Sequence, residues 1–591
     1  MATKVQFFDS VSLAAVVAEL NTLGECRIDK VGQPSGHEIY LQLRAGGRNL
    51  RLYLNLREQW ARLHLTERQL GNVPVPTAFT MLLRKHLEGS RLLRVEQLGM
   101  ERVARLVVAG RDELGDPFER ILVVELIGKF SNAFLVDSRQ EQLLGCLRIV
   151  TEEMSQARQL APGLPYAGPP VAAGKVAFPD ATEADFLAAL GEDGKVVDRL
   201  SHRLAGISKV ALMQVAAAAG VAPNTRTDEL EGLDALLAML HRAQRSLKDG
   251  VFHPRLERAA SSDYAMWWLG DGAPPEGPGP SAVVDRYYGT LEAQSVLEDR
   301  RRVVRNEVNE LLRKQRERLG GWGQTLAKSE EADRYRELGD LITAHMWAIQ
   351  PGLASVEVTD FYHPDAPTVT LVLDPQLTAS ENAQRYFRKY QKARDGRAAV
   401  EGLIATGSVE LAYLEQVATA VEQAIELRDL AEIAEELGEL TGKRPSSPQK
   451  GVRRGQAEPP PAPLAFKSSD GLAILVGKNN KQNDYLTFKV ARPHDVWLHT
   501  QNIPGSHVLV QAEGEVPEQT LHEAAMLAAY FSQARDSNQV PVVYTRRKFV
   551  KKPRGAKPGM VIYEQERTLF VNQDPERLQA LGAVAGDLAK A

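Results

Sequence analysis

The chain has 591 residues, of which 43% are hydrophobic and 25% are charged, and these proportions exclude a disordered or fibrous protein. Its length is typical of about four domains of roughly 150 residues each. The 72 basic and 76 acidic side chains give a net charge of −4, so any contact with a polyanion must come from local clusters. The two cysteines, Cys26 and Cys146, exclude a disulfide framework and a CxxC zinc site.

The N-terminal residues do not resemble a secretory signal. Asp9 and Glu19 interrupt the apolar residues between Met1 and Glu25, and no small-residue cleavage site follows. No apolar run in the sequence approaches the roughly 20 residues that span a bilayer. We therefore expect a cytoplasmic protein.

Residues 1–165 are predicted to form a mixed α/β domain. Apolar residues at helical spacing predict helices over Val11–Leu23 and Ala78–Leu87, and alternating residues on both sides of positions 45–47 predict a β-hairpin. Val103–Val108 and Ile121–Leu126 have the composition of buried strands.

Residues 175–270 are predicted to form a helical domain, after a linker that is rich in proline, glycine and alanine. Within it, Leu204–Lys209 places a glycine between two helical patterns. In a helix-hairpin-helix motif such a turn presents backbone N–H groups to a phosphate, and a plain turn between helices fits the pattern equally well.

Residues 285–442 are predicted to form an antiparallel coiled-coil hairpin. The apolar seam positions of its first arm are Leu297, Val304, Val308 and Leu311. Arg301 and Gln315 occupy two further seam positions. The second arm covers Ala383–Leu440, and strand-like segments at Val356–Val358 and Thr368–Leu373 lie between the arms. Because both arms belong to one chain, a hairpin is favoured over a dimer, which is the alternative.

Residues 443–463 are basic and rich in proline, which predicts a flexible linker. Residues 464–591 predict an α+β domain with one clear helix, Thr520–Ala534. Its predicted strands are Ala473–Val476, Tyr485–Val490, Val508–Val510, Val542–Tyr544 and Val561–Tyr563. The whole chain is therefore predicted to be a multidomain α+β protein.

The sequence lacks the common catalytic motifs. It contains no GxxxxGK[ST] loop, no GxSxG elbow and no GxGxxG after a strand. His522 and Glu523 begin an HExxH pattern, but Met526 stands where the second zinc ligand would be. We expect no metal site and no cofactor, and the pattern names no reaction.

The run from Val540 to Met560 is the strongest signal for binding a polyanion. Its cations are Arg546, Arg547, Lys548, Lys551, Lys552, Arg554 and Lys557. The run has no acidic residue, and Tyr544 and Phe549 lie among the cations. This composition predicts contacts with nucleic-acid phosphates and bases, and a solvated basic loop is the alternative.

A second basic set lies near the N terminus. Its members are Arg62, Arg84, Lys85 and Arg91, with His64 and His86 nearby. Ordinary surface decoration explains this set equally well, since Lys85 and Glu88 can pair across one helical turn.

The segment from Trp497 to Val508 combines a tryptophan, two histidines and a Pro-Gly turn. It predicts a shaped loop beside a strand. A metal site is not favoured, because no cysteine and no closely spaced third ligand accompany His499 and His507.

Long motifs along the chain resemble the NFACT family. At the front these are ARLHLT (Ala61–Thr66), PVPTAFTMLLRKHLEGSRL (Pro74–Leu92) and ELIGKFSNAFLVD (Glu125–Asp137); in the middle GDLITA (Gly339–Ala344) and LDPQLTASENAQRYFRKYQK (Leu373–Lys392); and at the end Gly477–Val510 and Val543–Tyr563. They occur in the family's order, so the chain resembles an NFACT-N domain, a coiled-coil middle region and an NFACT-R domain.

The resemblance implies ribosome-associated quality control. Proteins of this family bind the rRNA and proteins of a large ribosomal subunit that still carries a nascent chain on tRNA. They recruit aminoacyl-tRNA, and the chain is extended without mRNA. In the bacterial branch the added residue is alanine, which implies tRNA-Ala as a partner. The ribosome makes the peptide bond, so the factor need not be an enzyme. A monomer on the ribosome, assisted by a small RNA-binding cofactor protein, is also implied.

The resemblance also assigns candidate residues. The family's tail-elongation motif, an adjacent Asp-Arg, matches Glu101-Arg102, where the longer acid changes the reach. Glu125 matches a segment linked to tRNA handling. The NFACT-R motif corresponds to Asp484, Asp495, Trp497, His499, Gly505, Ser506 and His507. The RNA-binding candidates are Arg62, Arg84, Lys85, Lys209 and the cations of Arg546–Lys557.

Two other functions fit parts of the sequence. The older name of the NFACT-N domain implies a fibronectin-binding adhesin, which would need export from the cell. NFACT-N is also similar in fold to the Fpg-type glycosylases. Those enzymes use an N-terminal proline amine, whereas this chain begins Met1-Ala2-Thr3, so that alternative is a nucleic-acid-binding protein without their chemistry.

Overall fold

The structure is a computed structural model that describes residues 6–112, 114–155, 158–170, 174–259, 262–270, 272–329, 332–442 and 463–583. It divides into two compact units, Met1–Gln294 and Ser295–Ala591. Both units contain helices and strands, which confirms the predicted multidomain α+β class. Of the predicted linker at 443–463, residues 443–462 lie outside the described residues.

An antiparallel sheet of nine strands, counted over the described residues, forms the centre of the first unit. The strands are β1 (Cys26–Ser35), β2 (Glu38–Ala45), β3 (Arg48–Asn55), β4 (Arg62–Thr66), β5 (Arg91–Gln97), β6 (Val103–Arg111), β7 (Pro117–Glu125), β8 (Asn132–Asp137) and β9 (Leu143–Cys146). Their order across the sheet is β4-β3-β2-β1-β5-β6-β7-β8-β9. The predicted hairpin is β2–β3, and the two predicted buried strands are β6 and β7.

Helices cover one face of this sheet and enclose the main core of the unit. They are α1 (Ser10–Asn21), α2 (Ala78–Leu87), α3 (Glu183–Leu190), α4 (Val196–Arg203), α5 (Lys209–Ala218) and α6 (Leu233–Asp249). The short strand β10 (Val176–Ala177) pairs with β11 (Leu204–Ala205), and β12 (Arg255–Ala259) pairs with β13 (Ser262–Ala265). Asp9 begins α1 by accepting a hydrogen bond from the Ser12 amide, and Thr77 accepts from the Thr80 amide at the start of α2.

Long helices and a small sheet form the first part of the second unit. They are α7 (Pro280–Ser329), which begins in the first unit, α8 (Ala332–Ala344), β14 (Ser355–Thr359), β15 (Thr368–Val372), α9 (Ala379–Gln423) and α10 (Leu427–Thr441). Val304 and Val308 of α7 pack against Leu414 and Val417 of α9. The predicted second arm therefore consists of two helices, because α9 ends at Gln423 and Ala424 after it has a non-helical backbone conformation.

The two polar residues of the predicted seam bind backbone carbonyl groups of the facing arm. Gln315 donates to the carbonyl oxygen of Gly407 over 3.0 Å, and Arg301 donates to those of Val421 and Ala424. The contacts advance along α7 while they move back along α9, so the two helices run antiparallel.

The C-terminal part of the second unit is a sheet of six described strands with helix α12 on one face. The elements in chain order are β16 (Leu464–Lys467), β17 (Ala473–Val476), α11 (Asn480–Tyr485), β18 (Val496–Thr500), β19 (Val508–Val510), α12 (Glu518–Tyr530), β20 (Val540–Arg546), β21 (Val550–Lys551), β22 (Ile562–Tyr563), β23 (Arg567–Val571) and α13 (Pro575–Ala580). The sheet order is β16-β17-β19-β18-β20-β23, and β21 pairs with β22 beside it.

The strand predicted at Tyr485–Val490 is wrong. Helix α11 ends at Tyr485 and continues into a π-helical turn, Leu486–Val490. The side chain of Asn479 accepts a hydrogen bond from the Gln482 amide and so starts the helix. A short apolar run has no periodicity that distinguishes a strand from a buried helical turn.

None of the helices in the described part of the chain is both long and apolar enough to cross a membrane.

Candidate nucleic-acid interface

A cleft of about 560 Å³ in the first unit brings together two features that the sequence analysis singled out. One wall contains Glu101 and Arg102, which lie in the turn between β5 and β6. The other contains Gly206 and Ser208, from the turn between α4 and α5. The Glu101-Arg102 pair therefore faces the helix-hairpin-helix-like turn.

The side chains of Glu101 and Arg102 are half-buried and make no hydrogen bond or ion pair with any described residue. Their backbone, in contrast, is fixed. The Glu101 amide donates to the carbonyl oxygen of Leu98 over 3.0 Å, and the Leu126 amide donates to that of Arg102 over 2.8 Å. A rigid turn thus presents an acceptor and a donor with unused hydrogen-bonding capacity to the cleft.

The facing turn requires a glycine. Gly206 has a φ of +75°, and a Cβ atom there would lie 2.1 Å from the Cβ of Met100. The hydroxyl of Ser10 donates to the Gly206 carbonyl over 2.6 Å, and that of Ser208 donates to Asp9 over 2.5 Å. Lys209, at the start of α5, is 57% exposed and lies 2.8 Å from Asp198. The start of α5 is therefore held against the N terminus of α1.

Glu125 is fully buried and its carboxylate is enclosed by its own partners. Arg158 donates to both of its oxygens, over 2.7 and 2.6 Å, and the Tyr166 hydroxyl donates over 2.8 Å. The hydrogen bond to Glu125 raises the pKa of Arg158. Leu126, which follows, is buried in the core. Leu126, the residue after Glu125, donates its amide to the carbonyl oxygen of Arg102. The buried ion pair of Glu125 therefore lies one residue from the hydrogen bond that holds the Glu101-Arg102 turn.

The N-terminal basic set is not gathered on one surface. Arg62 is fully buried, where both terminal nitrogens of its guanidinium contact Glu292 over 2.8 Å and its plane lies between Tyr53 and Tyr288. Arg84 is half-buried and donates to the carbonyl oxygen of Val31, whereas Lys85 is exposed. A buried guanidinium that is paired with a carboxylate offers little to a phosphate.

The cations of Arg546–Lys557 fall into two groups. Four are held by the chain itself: Arg546 donates to the carbonyls of His494 and Gly514, Arg547 to that of Thr487, Lys552 lies 2.6 Å from Asp484, and Lys557 lies over the ring of Tyr413. Burial lowers the pKa of Lys557. Lys548, Lys551 and Arg554 are exposed. Lys551 forms an exposed pair with Glu564 at 2.8 Å, and Arg554 has no polar partner among the described residues.

Asp484 positions the basic segment. Besides contacting Lys552, it accepts a hydrogen bond from the Gly559 amide over 3.2 Å. A Cβ atom on Gly559 would lie 2.8 Å from the side chain of Asn480. The segment therefore closes tightly against α11.

Trp497, His499 and His507 form one aromatic cluster on the face of the sheet away from α12. Trp497 stacks on His499 with ring centroids 5.9 Å apart and meets His507 edge to face at 5.1 Å. Burial lowers the pKa of His499 and, further, that of His507. Nδ1 of His507 lies 2.8 Å from the Thr487 hydroxyl. Neutral, packed rings of this kind shape the domain rather than bind phosphate.

Asp495, Gly505 and Ser506 support the same region through the backbone. Asp495 is 1% exposed and accepts hydrogen bonds from the amides of Arg492 and Ala512. A Cβ atom on Gly505 would lie 2.8 Å from that of Ser532. The buried Ser506 donates its amide to the carbonyl oxygen of Phe531.

Two family models together cover nearly the whole chain. The model described as NFACT N-terminal and middle domains matches residues 9–452, and the model described as NFACT protein RNA binding domain matches residues 463–565. The chain belongs to the NFACT family.

NFACT relatives named "Rqc2 homolog RqcH" match along almost their full length. That of Bacillus subtilis is 36% identical over 577 residues, covering 96% of this chain and 98% of its own. That of Streptococcus suis is 32% identical and covers 97% and 99%. A shorter match is the human "Ribosome quality control complex subunit NEMF", 30% identical over 26% of this chain and 13% of its own.

A solved structure of the C-terminal part of the fibronectin/fibrinogen-binding protein from Streptococcus suis is 34% identical over 48% of this chain and 98% of its own, with a TM-score of 0.38.

The sequence did not reveal that asparagines of the C-terminal domain bind α10. Asn479 donates to Glu432 over 2.8 Å, and Asn480 donates to Glu436 over 2.9 Å. The Gly- and Asn-rich segment resembles an open polar loop in the sequence, but its amides are used within the chain. The one signal in the sequence for such a contact is the spacing of Glu432 and Glu436, which lie four residues apart and therefore on one face of α10.

Proposed function

We propose that this protein is a ribosome-associated quality control factor. It binds a large ribosomal subunit that carries peptidyl-tRNA and recruits aminoacyl-tRNA, with tRNA-Ala as the expected species, for extension of the nascent chain without mRNA. Full-length similarity to the relatives named "Rqc2 homolog RqcH" supports the assignment, and so does the shorter match to a "Ribosome quality control complex subunit". An RNA-binding domain at the C-terminal end supports RNA as the partner.

The observation that carries the proposal is the cleft between Glu101-Arg102 and the turn at Gly206. An arginine fork that is bound by none of the described residues is suited to a phosphate, and a carboxylate accepts hydrogen bonds from base N–H groups or a ribose hydroxyl. Gly206 and Ser208 on the other wall directly precede α5, at the positive end of that helix's dipole. These elements suit folded RNA at a fixed orientation.

The proposed mechanism is positioning rather than bond making. A tRNA held in this cleft has its orientation fixed, and the ribosome then carries out peptide transfer on a reactant that is already in place. Lys548, Lys551 and Arg554 add contacts to RNA backbone from the C-terminal domain. No group in this scheme has to act as nucleophile, acid or base.

The test uses purified full-length protein, large subunits carrying peptidyl-tRNA, and charged tRNA-Ala. We expect the parent protein to support alanine addition without mRNA and the Arg102→Ala variant to support none. The Glu101→Asp variant, which has the acid of the family motif, should support as much alanine addition as the parent protein. Arg139→Ala is the matched control, because Arg139 is an exposed arginine of the same unit. Full addition by the Arg102→Ala variant would show that the cleft is not the site.

A further inference from the structure

Three arginines lie directly opposite one another across three neighbouring strands of the N-terminal sheet. Arg27 on β1 is in register with Arg44 on β2 and with Arg91 on β5. Directly opposed residues of antiparallel strands point to the same face of a sheet. The three guanidinium groups, here named the arginine row, therefore leave the sheet on one side.

The arginine row lies on the face away from the main core. Ile28, Leu43 and Leu92, which adjoin the three arginines in sequence, are buried in that core, and successive side chains of a strand point to opposite faces. Arg27 and Arg91 are 65% and 69% exposed. Arg44 is exposed as well.

The surroundings do not neutralise the arginine row. Arg27 lies 3.2 Å from Asp29, and Arg91 lies 3.1 Å from Glu25, but both pairs are exposed and such pairs contribute little. Arg44 has no hydrogen bond or ion pair with any described residue. Lys30, opposite Gln42 on the same face, is a further exposed cation.

The excess of positive charge continues along the sheet. Arg94 and Arg105 share a single acidic neighbour, Glu96, at 2.7 and 3.8 Å. Arg27, Lys30, Arg44, Arg91, Arg94 and Arg105 are thus six cations whose ion-pair partners among the described residues are three carboxylates, Glu25, Asp29 and Glu96. In a chain whose net charge is −4, this local surplus marks the face for a negatively charged partner.

Like charges directly opposite on neighbouring strands destabilise a sheet. Folding alone would therefore favour another residue at the centre of the arginine row, and an external polyanion would relieve the repulsion. Arginine forks match phosphate oxygens in geometry. The row spans two inter-strand steps, about 10 Å, and has no aromatic member to stack on bases, so it suits the backbone of paired RNA.

We propose that the arginine row is a docking surface for the phosphate backbone of double-stranded RNA. It lies at the other end of β5 from the Glu101-Arg102 turn and is a second RNA contact of the same unit. The choice of RNA as occupant rests on the function proposed above, whereas the position and charge of the surface do not.

The test measures binding of the full-length protein to a loop-free RNA duplex of roughly two helical turns over a series of salt concentrations. We expect the triple variant Arg27→Gln, Arg44→Gln, Arg91→Gln to bind about tenfold or more weakly at low salt, with the slope of log K against log salt reduced by about 2 to 3. The charge-matched control is Arg242→Gln, Arg245→Gln, Lys248→Gln on α6, which should bind like the parent protein.

Three results would overturn the proposal: no duplex binding by the parent protein, an unchanged affinity and slope in the triple variant, or an equal loss in the α6 control. Binding to polyglutamate is measured as well, because polyglutamate represents an acidic protein as the alternative partner. If the triple variant lost only polyglutamate binding, the surface would belong to an acidic protein instead. The single variant Arg44→Gln removes an exposed charge that has no ion-pair partner in the described part of the chain, and it keeps the test valid if the triple variant fails to fold.

Binding to large ribosomal subunits is measured in parallel. Loss of duplex binding with retained subunit binding supports the arginine row, and unchanged duplex binding with retained subunit binding overturns it while leaving the proposed function in place.

Discussion

The amide of Leu126 donates to the carbonyl oxygen of Arg102 over 2.8 Å, and this hydrogen bond connects the cleft to a buried ion pair. Leu126 directly follows Glu125, which is held by Arg158 and Tyr166. The position of the Glu101-Arg102 turn thus depends on the fully buried carboxylate of Glu125.

We therefore expect Glu125→Ala to destabilise the protein by about 3 kcal/mol, because it leaves the guanidinium of Arg158 without its partner in a largely buried site. Urea unfolding of the full-length protein measures the change. Glu152→Ala, which removes an exposed carboxylate of the same unit, should change the unfolding free energy by less than about 0.5 kcal/mol. Equal effects of the two substitutions would contradict a supporting role for Glu125.

Gly206→Ala tests how closely the α4–α5 turn fits against the Glu101-Arg102 wall. It combines a strained φ with a Cβ atom 2.1 Å from that of Met100, whereas Gly220→Ala has a comparable φ of +77° and open space around it. We expect about 1 kcal/mol of destabilisation for Gly220→Ala and at least about 1 kcal/mol more for Gly206→Ala. Thermal unfolding measures both, and equal losses would show that Met100 does not press against the turn.

His507 makes stability dependent on pH. Its folded pKa lies well below 6.5 because burial disfavours the charged ring, so below about pH 6.5 the unfolded chain binds a proton that the folded chain does not. The unfolding free energy should therefore fall as pH decreases from about 7 to 5, by up to about 1.4 kcal/mol per pH unit for this group. His64 and His499, whose pKa values are also lowered by burial, act in the same direction.

The substitution His507→Gln should reduce the slope of the unfolding free energy against pH by up to about 1.4 kcal/mol per pH unit, which corresponds to one proton. Urea unfolding at a series of pH values measures this slope. His494→Gln is the control, because that ring is about half exposed. An unchanged slope in His507→Gln would mean that the ring is protonated in the folded protein.

Charge-matched variants separate the two groups of cations in the C-terminal domain. Lys548→Gln with Arg554→Gln removes two exposed cations, and we expect the slope of log K against log salt for RNA binding to fall by about 1.4 to 1.8. Lys552→Gln with Lys557→Gln removes the same charge from side chains held by Asp484 and Tyr413, so its effect on the slope should be smaller. Filter binding over a salt series measures both, and the reverse order would contradict the division.

Elements with local periodicity were predictable from the sequence, whereas contacts between distant residues were not. α2 and β17 have the predicted bounds, since capping and alternation are local signals. The partners of Glu125 and Arg62, however, lie 33 and 230 residues away, and no spacing in the sequence indicates them. For the same reason the arginine row appears only once the strands are in register.

Co-sedimentation of the purified protein with two kinds of large ribosomal subunit, one carrying peptidyl-tRNA and one empty, measures directly whether the protein recognises stalled particles. We expect binding to the loaded subunit, and we expect Arg102→Ala and increasing salt to weaken it. Equal and salt-independent association with both particles, or none with either, would contradict this expectation.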